Sequence, residues 1–388
     1  MNNFIYDIPV RVYFGENQLG HLGEELSKYG KRVLLTYGGG SIKKLGLYDA
    51  VIDEINKTGL TFYELSGIAP NPRIESVRAG AQICKDKNID VILAVGGGST
   101  LDAAKWMAAG ACVDHDPWDF FSKWAPVEKA LPLVTVLTLS ATGSEMDCGG
   151  VISNLETKDK IGRMEPALLP KVSFLDPSVT YTVSKYQTAC GSADMLSHIF
   201  EVYFTMEKDL YMLDCFMESM IKTIIKYTPI AMADPTNYEA RANLMWTSSW
   251  AINGFINGGK KHAWSCHPME HELSAIYDIT HGLGLAILTP RWLEYCLDET
   301  TVSKYAQFGV NVFDIDPALA PMDIAKKSID MLSDFFFNTL GLDDTFTKVG
   351  IKQEDFSHMA KKACGNGIIH GFKPLAQKDI EKIFEMCI

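Results

Sequence analysis

Residues 90–111 read DVILAVGGGSTLDAAKWMAAGA. The apolar run 90–95 does not alternate, so it predicts a strand covered on both faces. Gly96, Gly97 and Gly98 follow directly, and the alanine-rich segment after them predicts a helix. Strand, glycine turn and helix in that order is the unit from which parallel sheets are wound.

The same reading extends outward. Strands are expected at 33–37 (VLLTY), 61–65, 133–137 and 172–175, with helices at 42–57 and 73–87 between them. Near-continuous apolar strands alternating with helices predict an α/β domain with a parallel sheet, whose ligands bind at the carboxyl ends of the strands. After Asp176 strand-like alternation nearly disappears. Helices are expected at 186–206, 209–232, 236–256, 268–276, 301–310, 321–340, 353–364 and 376–386. The division expected is an α/β domain at 1–178 and an all-helical domain at 179–388, packed with a cleft between them. No repeat or flexible linker interrupts either half.

Composition narrows the function. The chain has 388 residues, 47% hydrophobic and 22% charged, as expected of a globular protein with a sizeable core. Lys and Arg (36) are outnumbered by Asp and Glu (48) and scattered, for a net charge of −12, which argues against a nucleic-acid partner. The nine cysteines are odd in number and contain no CxxC, against a disulfide framework or zinc knuckle. Reduced thiols fit a cytoplasmic location. The first residues, MNNFIYDIPV, show no basic stretch followed by an apolar core, and no run of about 18 apolar residues exists, so neither a secretory leader nor a membrane partner is expected.

Two glycine loops end strands: Gly38-Gly39-Gly40-Ser41 and Gly96-Gly97-Gly98-Ser99-Thr100. Glycines let backbone approach a phosphate, and a following helix start offers free N–H groups. Neither loop matches GxGxxG or a Walker A pattern, and tight turns in a parallel sheet need glycines in any case. Asp102 lies in the first turn of the next helix, where it either faces the helix dipole or accepts hydrogen bonds from a cofactor. A third cluster, TLSATGSE at 138–145, also follows a strand. The first loop bears on cofactor choice. No carboxylate follows it before Asp49, while Ser41, Lys43 and Lys44 do, which favours NADP(H) over NAD(H); a solvated helix face would carry the same lysines.

The helical half concentrates imidazoles. Four of nine histidines fall within HAWSCHPMEHELSAIYDITH, 262–281. With Pro268 in a first helical turn, a helix starting at His267 puts His267 and His271 on one face. Upstream, Asp194 and His198 are also four apart. Together with His267 and His281 they would make one carboxylate and three imidazoles, a set suited to Fe(II) or Zn(II).

The combination of GGGST with Asp102, ATGSE at 141–145, DxxxH at 194–198, and HxxxH at 267–271 followed by His281-Gly282 resembles the iron-containing, or group III, alcohol dehydrogenases. It is most similar to their NADPH-dependent butanol dehydrogenase branch, over essentially the whole chain. The resemblance implies the dehydroquinate synthase-like architecture of two domains, a Rossmann-like dinucleotide-binding α/β domain at 1–178 and a helical metal-binding domain at 179–388. It implies Asp194, His198, His267 and His281 as metal ligands and His271 as a histidine near substrate and nicotinamide. It places Gly97, Gly98, Ser99 and Asp102 at the pyrophosphate and ribose, and Thr138, Thr142 and Ser144 in the second cofactor loop. Val151 and Lys160 fall at the nicotinamide end, and Gly38, Gly39, Ser41 and Lys43 match the loop of members using NADP(H). Met146-Asp147 departs from a usual Met-Asn. The implied reaction is hydride transfer between NADP(H) and a short primary alcohol or aldehyde, with the metal as Lewis acid. The implied assembly is a homodimer, for which segment 4–14 has strand character; it could equally be an edge hairpin within one subunit. Two rivals stand beside this reading: a glycerol-dehydrogenase-like polyol oxidoreductase, and a metallopeptidase in which His267–His271 is an HxxEH motif with Glu270 activating water.

Overall fold

The computed structural model describes residues 2–365 and 367–388. The chain divides into two compact units. One comprises Asp7–Val183 and Pro235–Asn253; the other comprises the residues up to Tyr6, Ser184–Asp234 and Gly254–Ile388. A single cut after residue 178 differs from this division chiefly in the helix Tyr238–Trp250, which belongs with the sheet.

The first unit is built on strands β1 (Arg11–Phe14), β2 (Arg32–Tyr37), β3 (Thr61–Leu65), β4 (Val91–Gly96) and β5 (Leu133–Leu137), an antiparallel hairpin of β6 (Gly149–Asn154) and β7 (Asp159–Met164), and β8 (Val172–Leu175). Six of them form one parallel sheet in the order β1-β8-β5-β4-β2-β3. Register places Val33 beside Val91 and Ile92 beside Leu133. Successive side chains then separate onto two faces. Val33, Leu35, Val91, Leu93, Val95, Val134 and Val136 pack with the helix Leu47–Lys57 on one face. Leu34, Ile92 and Ala94 pack with Leu101, Ala104 and Trp106 of the helix Gly98–Gly110 on the other. Both faces are dry, which is why these strands read as unbroken apolar runs.

Local departures from the sequence reading have local causes. The helix expected at 42–57 is two, Ser41–Lys44 and Leu47–Lys57, because Gly46 takes φ 71° between them. The β6–β7 hairpin falls in a stretch where no strand was expected. Of segment 4–14, the strand is Arg11–Phe14 alone, and it pairs parallel with β8 rather than folding into a hairpin.

The second unit is helical, though not wholly so. A short hairpin of β9 (Ile368–His370) and β10 (Pro374–Ala376) corrects the all-helical expectation. A helix absent from that expectation, His281–Cys296, contains Gly282, Gly284 and Pro290, all poor helix formers. Its glycines have a packing reason. A Cβ at Gly282 would lie 2.0 Å from the Cys190 carbonyl oxygen, and one at Gly284 would lie 2.8 Å from the Glu270 side chain. The helix thus runs hard against the helix Lys185–Tyr203, bringing His281 to Asp194. Among the described residues, no helix is long and apolar enough to cross a membrane.

Candidate active site

In the sheet unit, the loops after β4 and β5 interlock. A Cβ on Gly98 would lie 2.3 Å from Thr142 Oγ1, and one on Gly97 3.2 Å from Leu139 Cβ. Glycine is therefore required for the two loops to meet. The Thr138 amide donates to the Gly96 carbonyl at 3.0 Å. Asp102 is buried, and its two oxygens accept from Ser144 Oγ at 2.6 Å and the Val151 amide at 2.9 Å. It joins the helix Gly98–Gly110 to the second loop and to β6, an arrangement the dipole argument did not foresee. Burial pushes its carboxyl up to about 6 against the pull of Lys105 and these donors. Gly97, Gly98, Ser99, Asp102, Thr138, Thr142, Ser144 and Val151 thus gather at the carboxyl ends of β4 and β5. Lys160 is buried on β7, opposite Ser153 of β6.

Asp147, the departure noted in the sequence, has a defined role. Its Oδ1 accepts from Lys105 Nζ at 2.6 Å and from the Gly149 amide at 2.8 Å. Lys105 Nζ also donates to the Gly149 carbonyl. This buried pair anchors the entry to β6 two residues before Val151.

The loop after β2 carries Gly38, Gly39, Ser41 and Lys43. Gly38 lies against the Ile68 carbonyl and Thr100, whereas Gly39 is open. The Lys43 ammonium stands 5.2 Å from the ring centre of Tyr37 and 4.5 Å from that of Tyr48.

In the helical unit, four residues expected from sequence converge. Asp194 and His198 project from one face of the helix Lys185–Tyr203, four residues apart. The helix Cys266–Tyr277 contributes His267, and His281 opens the next helix. Asp194 Oδ1 lies 3.4, 3.8 and 3.7 Å from the Nε2 atoms of His198, His267 and His281. The His198 and His267 rings stack at 4.8 Å. His271 stands beside the cluster, 5.8 Å from the His281 ring and 6.3 Å from that of His267.

Two carboxylates that the sequence reading left outside the metal set aim these imidazoles. Glu201 accepts from His267 Nδ1 and from the backbone amides of Ser265, Cys266 and His267 at the start of the helix Cys266–Tyr277. Glu270 accepts from His281 Nδ1 and from Ser274 Oγ. With Nδ1 engaged outward, each Nε2 is left pointing at Asp194. This is the carboxylate–imidazole support typical of metal-binding histidines. A signal for Glu201 existed, since Asp194, His198 and Glu201 share one helical stripe. Glu270 gave no such signal, because its partner lies on another helix. Its engagement also leaves the HxxEH reading without a base to activate water.

The donor set fits a divalent transition metal. Asp194 Oδ1 and His267 Nε2 are buried and have no hydrogen-bond partner. Burial would raise the Asp194 carboxyl, but the three imidazoles hold it well below the usual carboxylate range. Burial lowers His198 to about 4, so it is neutral and ready to donate a lone pair. Asp194, His267 and His281 each bring one ligand atom within 4.8 Å of the others, and His198 Nε2 adjoins the Asp194 oxygen; a carboxylate oxygen with imidazole nitrogens suits Fe(II) or Zn(II).

The family model for iron-containing alcohol dehydrogenase matches residues 9–177, and that for the C-terminal region of the Fe-containing alcohol dehydrogenase family matches 188–388. The chain belongs to the iron-containing alcohol dehydrogenases. This family membership makes it a metal-dependent alcohol/aldehyde oxidoreductase using a nicotinamide cofactor. It is 47% identical to NADH-dependent butanol dehydrogenase B of Clostridium acetobutylicum, over 100% of both chains. It is 35% identical to the NADPH-dependent aldehyde reductase of Escherichia coli, over 95% of this chain and 94% of the other. The crystal structure of NADH-dependent butanol dehydrogenase A from Thermotoga maritima superposes with a TM-score of 0.94 at 37% identity, covering 100% of this chain and 99% of that one. Within this iron-containing family the α/β unit and the helical unit are the expected pair of building blocks, and relatives of both cofactor types occur.

Proposed function

We propose that the chain interconverts short primary alcohols and aldehydes, butanol and butyraldehyde among them, with NADP(H) as cofactor. The observation that carries the reading is Asp194 Oδ1 surrounded by three imidazole Nε2 atoms, two of them aimed by Glu201 and Glu270. Asp194, His198, His267 and His281 would hold the metal. When bound, Fe(II) or Zn(II) supplies Lewis acidity, which polarises a carbonyl or lowers the pKa of an alcohol. The nicotinamide supplies or receives the hydride.

The protein's own residues do the rest. Gly97 and Gly98 open backbone to a pyrophosphate, and Asp102 holds Ser144 and Val151 in register to shape the second cofactor loop. His271, beside the cluster and partly exposed, passes the alcohol proton to solvent. The choice of NADP(H) is supported by Ser41 and Lys43 in a loop without a carboxylate of its own; the relatives' names include both NADH- and NADPH-dependent enzymes. Assembly as a homodimer is supported by β1, which lies at the edge of the six-stranded sheet. A cytoplasmic location is supported by nine cysteines that are all free thiols.

The test is aldehyde reduction by metal-stripped protein, with Fe(II) or Zn(II) added back and NADPH and NADH compared. Metal-dependent oxidation of NADPH by butyraldehyde is expected. Preference for glycerol or another polyol would overturn the substrate reading, and a strong preference for NADH would overturn the cofactor reading.

A further inference from the structure

Lys43 is the cation on which recognition of a 2′-phosphate would depend, and it is not alone. Glu64, the fourth residue of β3, accepts from Tyr37 Oη at 2.7 Å and from Tyr48 Oη at 2.5 Å. Those are the two rings over which the Lys43 ammonium stands. Three elements supply the set: Tyr37 ends β2, Glu64 comes from the neighbouring strand β3, and Tyr48 lies in the first turn of the helix Leu47–Lys57. Glu64 and Lys43 are both exposed. What Glu64 does here is put a negative charge and two oriented phenols beside the only cation placed on the rings of Tyr37 and Tyr48 among the described residues.

We infer that Glu64, acting through Tyr37 and Tyr48, sets how strongly Lys43 recognises a 2′-phosphate and so sets the balance between NADPH and NADH. The inference rests on the reading that this loop receives the 2′ end of the adenine ribose. Two effects act in the same direction. The carboxylate repels a phosphate dianion arriving at Lys43. The phenols it orients hold the ammonium over their rings by cation–π attraction, which a phosphate has to outcompete. A ribose carrying only a 2′-hydroxyl meets neither penalty. Glu64 is thus a specificity-determining residue without direct contact with the reacting atoms.

The experiment uses the metal-loaded enzyme and three variants: Glu64→Gln, Tyr48→Phe and Lys43→Ala. Gln keeps the size and can still hydrogen-bond both phenols, and thermal melting checks that each variant is folded. Affinity for NADPH and for NADH is read directly from nicotinamide fluorescence, alongside kcat and KM with each. Glu64→Gln is expected to raise the preference for NADPH over NADH by about three- to tenfold, the size of one nearby solvent-screened charge acting on a dianion. The change should appear in KM and affinity for NADPH rather than in kcat, and shrink at high salt. Tyr48→Phe should move the ratio in the same direction by less, and Lys43→Ala should lower it. An unchanged ratio in Glu64→Gln, with Lys43→Ala still costing NADPH affinity, would overturn the inference and leave the cofactor reading intact. No effect of Lys43→Ala on NADPH would overturn both.

Discussion

Glu201 links two helices through His267: one carboxylate accepts from the imidazole Nδ1 and from three backbone amides at the start of the helix Cys266–Tyr277. The orientation of a proposed metal ligand and the capping of the helix that carries it therefore depend on the same side chain, on the helix of Asp194 and His198.

Glu201→Gln should consequently weaken metal binding by about 10- to 100-fold, the usual cost of losing a carboxylate behind a metal-binding imidazole. The fold should persist, because Gln can still accept from the helix amides. Chelator competition measures the affinity and circular dichroism the fold. Metal affinity equal to wild type would show that His267 needs no such support.

His267 and His271 are four residues apart on one helix, yet their substitutions should behave differently. His267→Ala should abolish metal retention and activity together. His271→Ala should keep the metal, measured by elemental analysis, while turnover falls by about 10²- to 10⁴-fold, the range for loss of a positioned acid–base group. A pH–rate profile identical to wild type in His271→Ala would remove the relay role.

Asp147 neutralises Lys105, whose side chain is completely buried. Asp147→Ala should cost about 3–5 kcal/mol, because it leaves a buried charge uncompensated. Asp147→Asn keeps an acceptor for Lys105 Nζ and should cost less. Urea denaturation of both variants checks the order; equal losses would show that the missing charge, which both variants remove, sets the whole cost and that the retained acceptor contributes nothing.

Glu145 should make stability pH-dependent. It is fully buried, with Ser249 Oγ on one oxygen and no partner on the other. Burial pushes its carboxyl up to about 7, above the ordinary value of 4.5. The folded state therefore holds this proton across an interval where the unfolded chain has released it. Stability from the neutral group is fully present below about pH 4.5 and is lost as pH rises through about 7, by roughly 3 kcal/mol. Glu145→Gln should flatten that slope, as read from urea midpoints at pH 5 and pH 8. A slope unchanged by the substitution would place the pH dependence elsewhere.

The sequence by itself determined the parallel sheet and the pairing of Asp194 with His198 on one helical face. Unbroken apolar strands can only be buried on both faces, as Val33, Leu34, Val91 and Ile92 are. The i, i+4 spacing of Asp194 and His198 places them together on any helix. These are local properties, legible wherever backbone period sets direction. Only the tertiary structure decided which side chains stand behind the site. Glu270 reaches His281 because Gly284 lets the next helix close on it, and Asp147 meets Lys105 across 42 positions of sequence. The helix Tyr238–Trp250 joined the sheet unit through contacts such as Ser249 with Glu145, 104 residues apart. No periodicity records such pairings, because the free energy that selects them comes from burying specific groups against distant neighbours, not from the conformation of either segment alone.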